Sequence, residues 1–112
     1  MDAMTSTAIW EDVGAIDDIP PLGARVVTTP DGNIAVFRTN ADQIFAVDDR
    51  CPHKGGPLSQ GIVHGTSVTC PLHNWTINLA SGDAVAPDQG CTRTIPLRLK
   101  GRRILLMVKG GA

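Results

Sequence analysis

The stretch CPHKGGPLSQGIVHGTSVTCPLH, residues 51–73, decides how the rest of the chain is read. It opens on Cys51-Pro52-His53 and closes on Cys70-Pro71-Leu72-His73, with sixteen residues between His53 and Cys70. Each end offers one sulfur and one imidazole, and the Gly and Pro around them mark loops rather than regular elements. Two such fingers can close on one metal centre from opposite sides. Thiolates and imidazoles together select zinc or an iron-sulfur centre over hard cations, which take oxygen donors.

Spacing separates these two choices. A zinc finger usually pairs Cys with Cys across a short gap and His with His on a helix, whereas each finger here mixes the types. In a 2Fe-2S centre whose irons take two Cys and two His respectively, each finger gives its sulfur to one iron and its nitrogen to the other. Cys-x-His and Cys-x-x-His meet that requirement. The pattern resembles the signature of the Rieske 2Fe-2S family, and Gly55-Gly56-Pro57-Leu58 and Pro71 resemble the cluster-binding loops of that family. The resemblance implies one Rieske-type 2Fe-2S cluster, with Cys51, His53, Cys70 and His73 as its cofactor-binding and metal-ligating residues. Cys51 and Cys70 would lie inside, and His53 and His73 would hold the outer iron, the natural exit for an electron. No catalytic residue is expected on the chain. Two other readings stand beside this one: a structural zinc-binding interaction module, and buried structural residues without metal, for which these Gly-rich loops offer little apolar packing.

The flanks fit a small β domain. With 112 residues, the chain is long enough for one domain with a modest core. Twelve Gly and eight Pro punctuate short runs of Val, Ile, Leu and Thr, as in an all-β chain with many turns. Arg25 to Thr29 and Asn33 to Arg38, joined by Pro30-Asp31-Gly32, predict a hairpin. A reversal at Thr39-Asn40-Ala41-Asp42 leads into Gln43 to Val47 and completes a three-strand meander. In the last strand Ile44 and Ala46 face one way, Phe45 and Val47 the other. Ser59 to Gly65 and Thr66 to Thr69 predict a second hairpin that returns Cys70 to Cys51. Thr92 to Leu99 and Arg103 to Val108, turning at Lys100-Gly101-Arg102, are expected to rejoin the meander in a base sheet. The expected fold is thus all-β: a Rieske-type domain with an antiparallel sandwich or meander base and an inserted two-loop cluster-binding subdomain. Residues 8–109 form the domain, with the insertion at about 48–85, residues 1–7 a flexible tail and residues 110–112 a frayed end. The acidic stretch Glu11-Asp12 to Asp17-Asp18 reads as surface loop.

The formal charge of -1 gives no reason to expect nucleic acid or an anionic membrane as partner. Nine acids and three bases in residues 1–50 give -6, and seven bases and two acids in residues 51–112 give +5. Such blocks are ordinary on a folded domain. The start lacks a basic segment followed by an apolar one, and no apolar run could span a membrane, so a cytoplasmic address is the expectation. Three cysteines are too few for a disulfide framework. Cys91, outside the motif, reads as a small packed hydrophobe. His64 reads as a surface or packing residue, and Trp75 as a shield for the cluster or part of the core.

Relative to high-potential Rieske proteins, which carry a disulfide between the loops and Ser and Tyr hydroxyls after the second finger, this chain has Gly56, Leu72, Trp75 and Ile77 at the matching places. Fewer hydrogen bonds to the cluster predict a potential at the low end of roughly -150 to +300 mV. Trp10, Ile19-Pro20, Ile34 to Arg38, Ile44 to Val47, Cys51 to Val63 and Cys70 to Trp75 further resemble the small subunit of assimilatory NAD(P)H-dependent nitrite reductases, from about residue 9 to 109. That resemblance implies an oxidoreductase subunit without catalysis of its own. Its partner would be a large subunit that carries FAD, sirohaem and a further iron-sulfur cluster and reduces nitrite to ammonium in nitrate assimilation. A free Rieske ferredoxin supplying electrons to a ring-hydroxylating oxygenase is the other redox reading.

Overall fold

The structure is a computed structural model, and it describes residues 8–29, 32–51, 56–70, 75–85 and 90–109. Nine strands occur among them: β1 (Ala8–Ala15), β2 (Ala24–Thr29), β3 (Gly32–Arg38), β4 (Ile44–Asp48), β5 (Ile62–His64), β6 (Ser67–Thr69), β7 (Thr76–Asn78), β8 (Leu97–Lys100) and β9 (Arg103–Lys109). They form three antiparallel sheets of three strands, in the orders β1-β9-β8, β2-β3-β4 and β5-β6-β7. The all-β expectation holds, and no described helix is long and apolar enough to cross a membrane.

The meander forms as expected. Thr29 pairs with Gly32, so two residues connect β2 to β3, and Ile34 to Arg38 run antiparallel to Ile44 to Asp48. At the second reversal Asp42 takes a positive φ of 62° and the Thr39 N–H donates to the Gln43 carbonyl. The β3 and β4 strands of this middle sheet are buried on both faces, whereas β2 exposes Arg25, Val26 and Thr28. Ile34, Val36, Ile44 and Ala46 join Ile104 and Leu106 of the β1-β9-β8 sheet, with Ile16, Ile19 and Ile95, in one apolar cluster. Ala35, Phe37 and Val47, one residue out of phase, join Leu58, Val63, Val68, Ile77, Leu79, Cys51 and Cys70 in another. The period-2 alternation of a strand makes this division, because successive side chains leave a sheet on opposite sides.

Two expectations are corrected here. The last two strands do not rejoin the meander sheet: β8 and β9 pair with β1 and pack face to face against it. At this corner the segment before β8 is joined to β4 by a bridge between Val47 and Thr94, with bonds from the Asp48 N–H to the Arg93 carbonyl and from the Ile95 N–H to the Ala46 carbonyl. Pro96, lacking an N–H, stands immediately before β8, so the strand covers Leu97–Lys100 rather than reaching back to Thr92. Nor is the acidic stretch a loop. Residues up to Ala15 form β1, and Ile16–Asp18 are a single 3-10 turn. Gly14, at φ 126°, accommodates the register shift between Asp12 and Ala15. The acids are matched across the sheet. The Arg103 guanidinium donates to Asp12 at 2.9 and 3.0 Å, and that of Arg102 donates to Asp17 at 2.6 and 2.9 Å. The hydrogen bonds from Arg103 and then the Gly14 N–H hold the Asp12 carboxyl below its ordinary range, and that from Arg102 does the same for Asp17.

Candidate metal centre

The second finger grows from a hairpin. β5 turns through Gly65, at φ 58°, into β6, and β6 pairs with β7, with Thr69 opposite Thr76. Cys70 leaves the end of β6 and Trp75 enters β7. The finger is closed at its neck by the Cys70 N–H donating to the Trp75 carbonyl at 2.6 Å, and the Thr69 and Thr76 hydroxyls lie 3.1 Å apart just outside it. The first finger starts differently. β4 ends at Asp48, Cys51 follows, and the Cys51 N–H donates to the Gly56 carbonyl at 2.7 Å. After Pro57 the chain makes a 3-10 turn at Leu58–Gln60 and reaches β5. Gly61 is required at that junction, since a Cβ there would stand 2.4 Å from the Thr69 carbonyl oxygen.

Both cysteines therefore sit at finger necks, on the same side of the middle sheet. They are 3% and 1% exposed, belong to one apolar cluster, and form no disulfide. Two buried thiols in one apolar cluster, each at the neck of a finger, suit a metal centre gripped from two sides, so this donor pair fits the expected group. His53 and His73 lie outside the described residues, as do Pro52, Lys54, Gly55, Pro71 and Leu72. Trp75, half-buried, packs against the cysteine-containing cluster, in keeping with its expected core role.

A strap of residues 90–95 holds the two finger supports together. The Thr92 N–H donates to the Gly82 carbonyl, the Thr92 hydroxyl donates to the Asp48 carbonyl, and the Arg93 guanidinium donates to Asp48 Oδ1. Gly82, at φ 81°, permits the approach, because a Cβ on it would lie 2.2 Å from the Thr92 carbonyl oxygen. On the strap Cys91 is exposed, not packed as expected; it forms a bridge with Asp83 at the surface, and local apolarity said nothing of that. His64 is exposed, with its Nε2 2.6 Å from the Thr69 hydroxyl, in line with the surface reading. Sequence reasoning missed the Asp49–Ser59 pair. Asp49 accepts from the Ser59 N–H at 2.7 Å and from its hydroxyl at 2.8 Å. A polar residue just before the first cysteine and a serine just after Pro57-Leu58 were the available signal. The groove of about 520 Å³ between β1 and β2 is remote in character, lined by Asp12, Asp18, Arg25 and Arg103 with no thiol or imidazole.

The outer face of the β5-β6-β7 sheet presents Ile62, His64, Ser67, Thr69, Thr76 and Asn78, none of them an acid or a Lys or Arg, and Ile62 is 72% exposed. The ion pairs found among the described residues lie elsewhere.

Comparison with known proteins agrees with this architecture. The anthranilate 1,2-dioxygenase ferredoxin subunit of Burkholderia cepacia is 36% identical over 93 residues, 82% of this chain and 85% of that protein. Among solved structures, the Escherichia coli protein NirD superposes with a TM-score of 0.77 at 27% identity, covering 94% of this chain and 99% of the other. A Mycobacterium tuberculosis chain assigned as an NADH-dependent nitrite reductase small subunit superposes with a TM-score of 0.80 at 24% identity, covering 89% and 95%. The Rieske [2Fe-2S] domain pattern matches residues 9–96. With two buried cysteines at the necks of paired loops above an all-β base, and that match over most of its length, the chain belongs to the Rieske [2Fe-2S] domain family.

Proposed function

We propose that this chain is the electron-transferring small subunit of an NAD(P)H-dependent nitrite reductase, with Cys51, His53, Cys70 and His73 as the cluster ligands. Family membership implies one Rieske-type 2Fe-2S cluster, which when bound accepts and releases one electron. Cys51 and Cys70 would supply the buried thiolates, and His53 and His73 the imidazoles. The chain's own work is mechanical and dielectric. The neck hydrogen bonds keep each cysteine at the root of its finger, and Leu58, Val63, Val68 and Ile77 exclude water from beneath them. Electrons enter and leave at the imidazole side in this reading, so nitrite reduction itself takes place on a partner.

The observation that carries the nitrite reductase reading is the resemblance over the continuous run Cys51 to Val63 and over Cys70 to Trp75, supported by the likeness to NirD along nearly the whole of both chains. The face of the β5-β6-β7 sheet favours it as well. Interface cores are depleted of charge, while a shuttle that docks and leaves is commonly steered by charge; this face offers Ile62 and hydroxyls. The large subunit, with its FAD, sirohaem and further iron-sulfur cluster, is the partner this reading requires, and a cytoplasmic address goes with it. The 36% identity to the anthranilate dioxygenase ferredoxin subunit favours a second reading, a ferredoxin serving an oxygenase.

Purified protein should be red-brown and contain iron and acid-labile sulfide; a colourless protein with one zinc per chain would eliminate electron transfer. Mixed with the large subunit, it should form a complex that survives high salt and raise nitrite-dependent NAD(P)H oxidation. No complex and no change in that rate would leave the ferredoxin reading.

A further inference from the structure

The two fingers are held by different means. The second is the end of a β hairpin, and the ladder between β6 and β7 fixes both of its ends. The first joins two separate sheets: it leaves β4 of the middle sheet and ends in the 3-10 turn before β5 of the outer one. Among the described residues no strand pairing connects its two ends. They are connected by the neck bond from the Cys51 N–H to the Gly56 carbonyl and, outside it, by Asp49, whose two carboxylate oxygens each accept one hydrogen bond from Ser59.

Each side of this contact is itself anchored. The Asp49 N–H donates to the Asn33 carbonyl at 3.0 Å, which ties it to β3. Ser59 sits in the Leu58–Gln60 turn, whose Leu58 is fully buried in the cysteine-containing cluster. The Ser59 N–H is an orphan donor of that turn, as the first N–H groups of any helix are. The residue before the turn is Pro57, which has no side-chain acceptor, and no cap bond is made there. Asp49 supplies the missing acceptor from ten residues away. Both contacts are partly buried, where a hydrogen bond to a charged acceptor is stronger than a neutral one.

We propose that Asp49 is a positioning residue for the first finger: through Ser59 it stands in for the missing strand ladder and holds Cys51, at the finger's root, in register with Cys70. The proposal rests on the ligand assignment given above. It needs the geometry of the acceptor rather than its charge. An asparagine in the same place can accept the Ser59 N–H with Oδ1 while its amide faces the Ser59 hydroxyl, whereas alanine can do neither.

The test uses the full chain carrying its cluster. In Asp49→Ala the visible absorption should bleach, in the presence of a chelator, roughly tenfold or more faster than in the wild type, which is the effect of losing a partly buried charged hydrogen bond. The electron paramagnetic resonance signal of the reduced cluster should broaden or shift. Asp49→Asn should restore the signal and most of the lifetime, a rescue that a loss of charge would not allow. Ser59→Ala, which keeps the backbone bond, should fall between Asp49→Ala and the wild type. It carries the test if Asp49→Ala does not fold. Wild-type lifetimes and signals in Asp49→Ala and Ser59→Ala overturn the proposal, as does an Asp49→Asn protein no better than Asp49→Ala. A wild-type protein that purifies without iron and sulfide overturns the ligand assignment instead, and the proposal with it.

Discussion

Because β3 and β4 of the middle sheet are covered on both faces, identical substitutions on its two sides should have separable effects. Leu58 and Leu106 are both fully buried, Leu58 with the cysteines and Leu106 between the two base sheets. Replacing either by Ala removes three carbons, about 2.4 kcal/mol at about 0.8 kcal/mol each. The cavity left behind adds to that, and Leu→Ala changes in cores cost roughly 2–5 kcal/mol in all. At about 1.36 kcal/mol per tenfold, the transfer part alone is a factor of roughly 60 in an opening equilibrium. Leu58→Ala should spend that factor on the cluster side, and Leu106→Ala on the base. The chain provides one tryptophan for each region, Trp75 packed against the cysteine-containing cluster and Trp10 on β1. Urea unfolding of the Trp10→Phe and Trp75→Phe backgrounds, followed by fluorescence together with visible bleaching, reads the two sides separately. For Leu58→Ala, bleaching and the Trp75 signal should move to lower urea before the Trp10 signal does. For Leu106→Ala the Trp10 signal should move at least as far. If both variants shift every probe equally, the partition by the middle sheet has no energetic meaning and the reasoning fails.

Other expectations follow from close contacts and charges. Gly82→Ala places a Cβ against the Thr92 carbonyl at a positive φ, so it should cost about 2 kcal/mol or more and weaken the strap, as measured by denaturant midpoint and by cluster lifetime. Gly61→Ala, at an ordinary φ, should also destabilise, because the atom it meets is the Thr69 backbone oxygen of the neighbouring strand; amide exchange in β5 and β6 should rise. Asp12 and Asp17 have lowered folded pKa values, so their contribution to stability is present above the unfolded value of about 4 and is lost as pH falls through the folded one. Melting temperature should therefore fall more steeply below about pH 4 in the wild type than in an Asp12→Asn, Asp17→Asn double variant. Replacing His73 by Ala should remove or destabilise the cluster, and an unchanged visible spectrum would contradict the ligand assignment.

Much of this architecture could be read from local pattern. Gly and Pro placed the first turn of the meander and that of the finger hairpin, Thr39-Asn40-Ala41-Asp42 the second turn of the meander, and the alternation in Ile44 to Val47 told the two faces of β4 apart. Local pattern failed where distant residues decide. β1 looked like loop because its acids suggest solvent, but their partners, Arg102 and Arg103, come from the far end of the chain, and Gly14 breaks the alternation that would have revealed the strand. The placement of β8 and β9 beside β1 depends on which faces remain uncovered once the meander has formed, and no window of sequence contains that information. Cysteine spacing announced the fingers, yet the Asp49–Ser59 contact depends on how β4 and the 3-10 turn are brought together, and Cys91 on which edge the strap presents.

The bridge between Val47 and Thr94, with the neighbouring bond from the Ile95 N–H to the Ala46 carbonyl, sets the place where the chain departs for the fingers beside the place where it returns. Everything between is topologically a cassette. A short turn joining Asp48 to Arg93 would close the base without rerouting any base strand, at the expense of baring Ala35, Phe37 and Val47 to water. Conversely, a host protein with two adjacent antiparallel strand ends and a matching apolar patch is a suitable acceptor for the whole segment, since closing a longer loop adds little entropy.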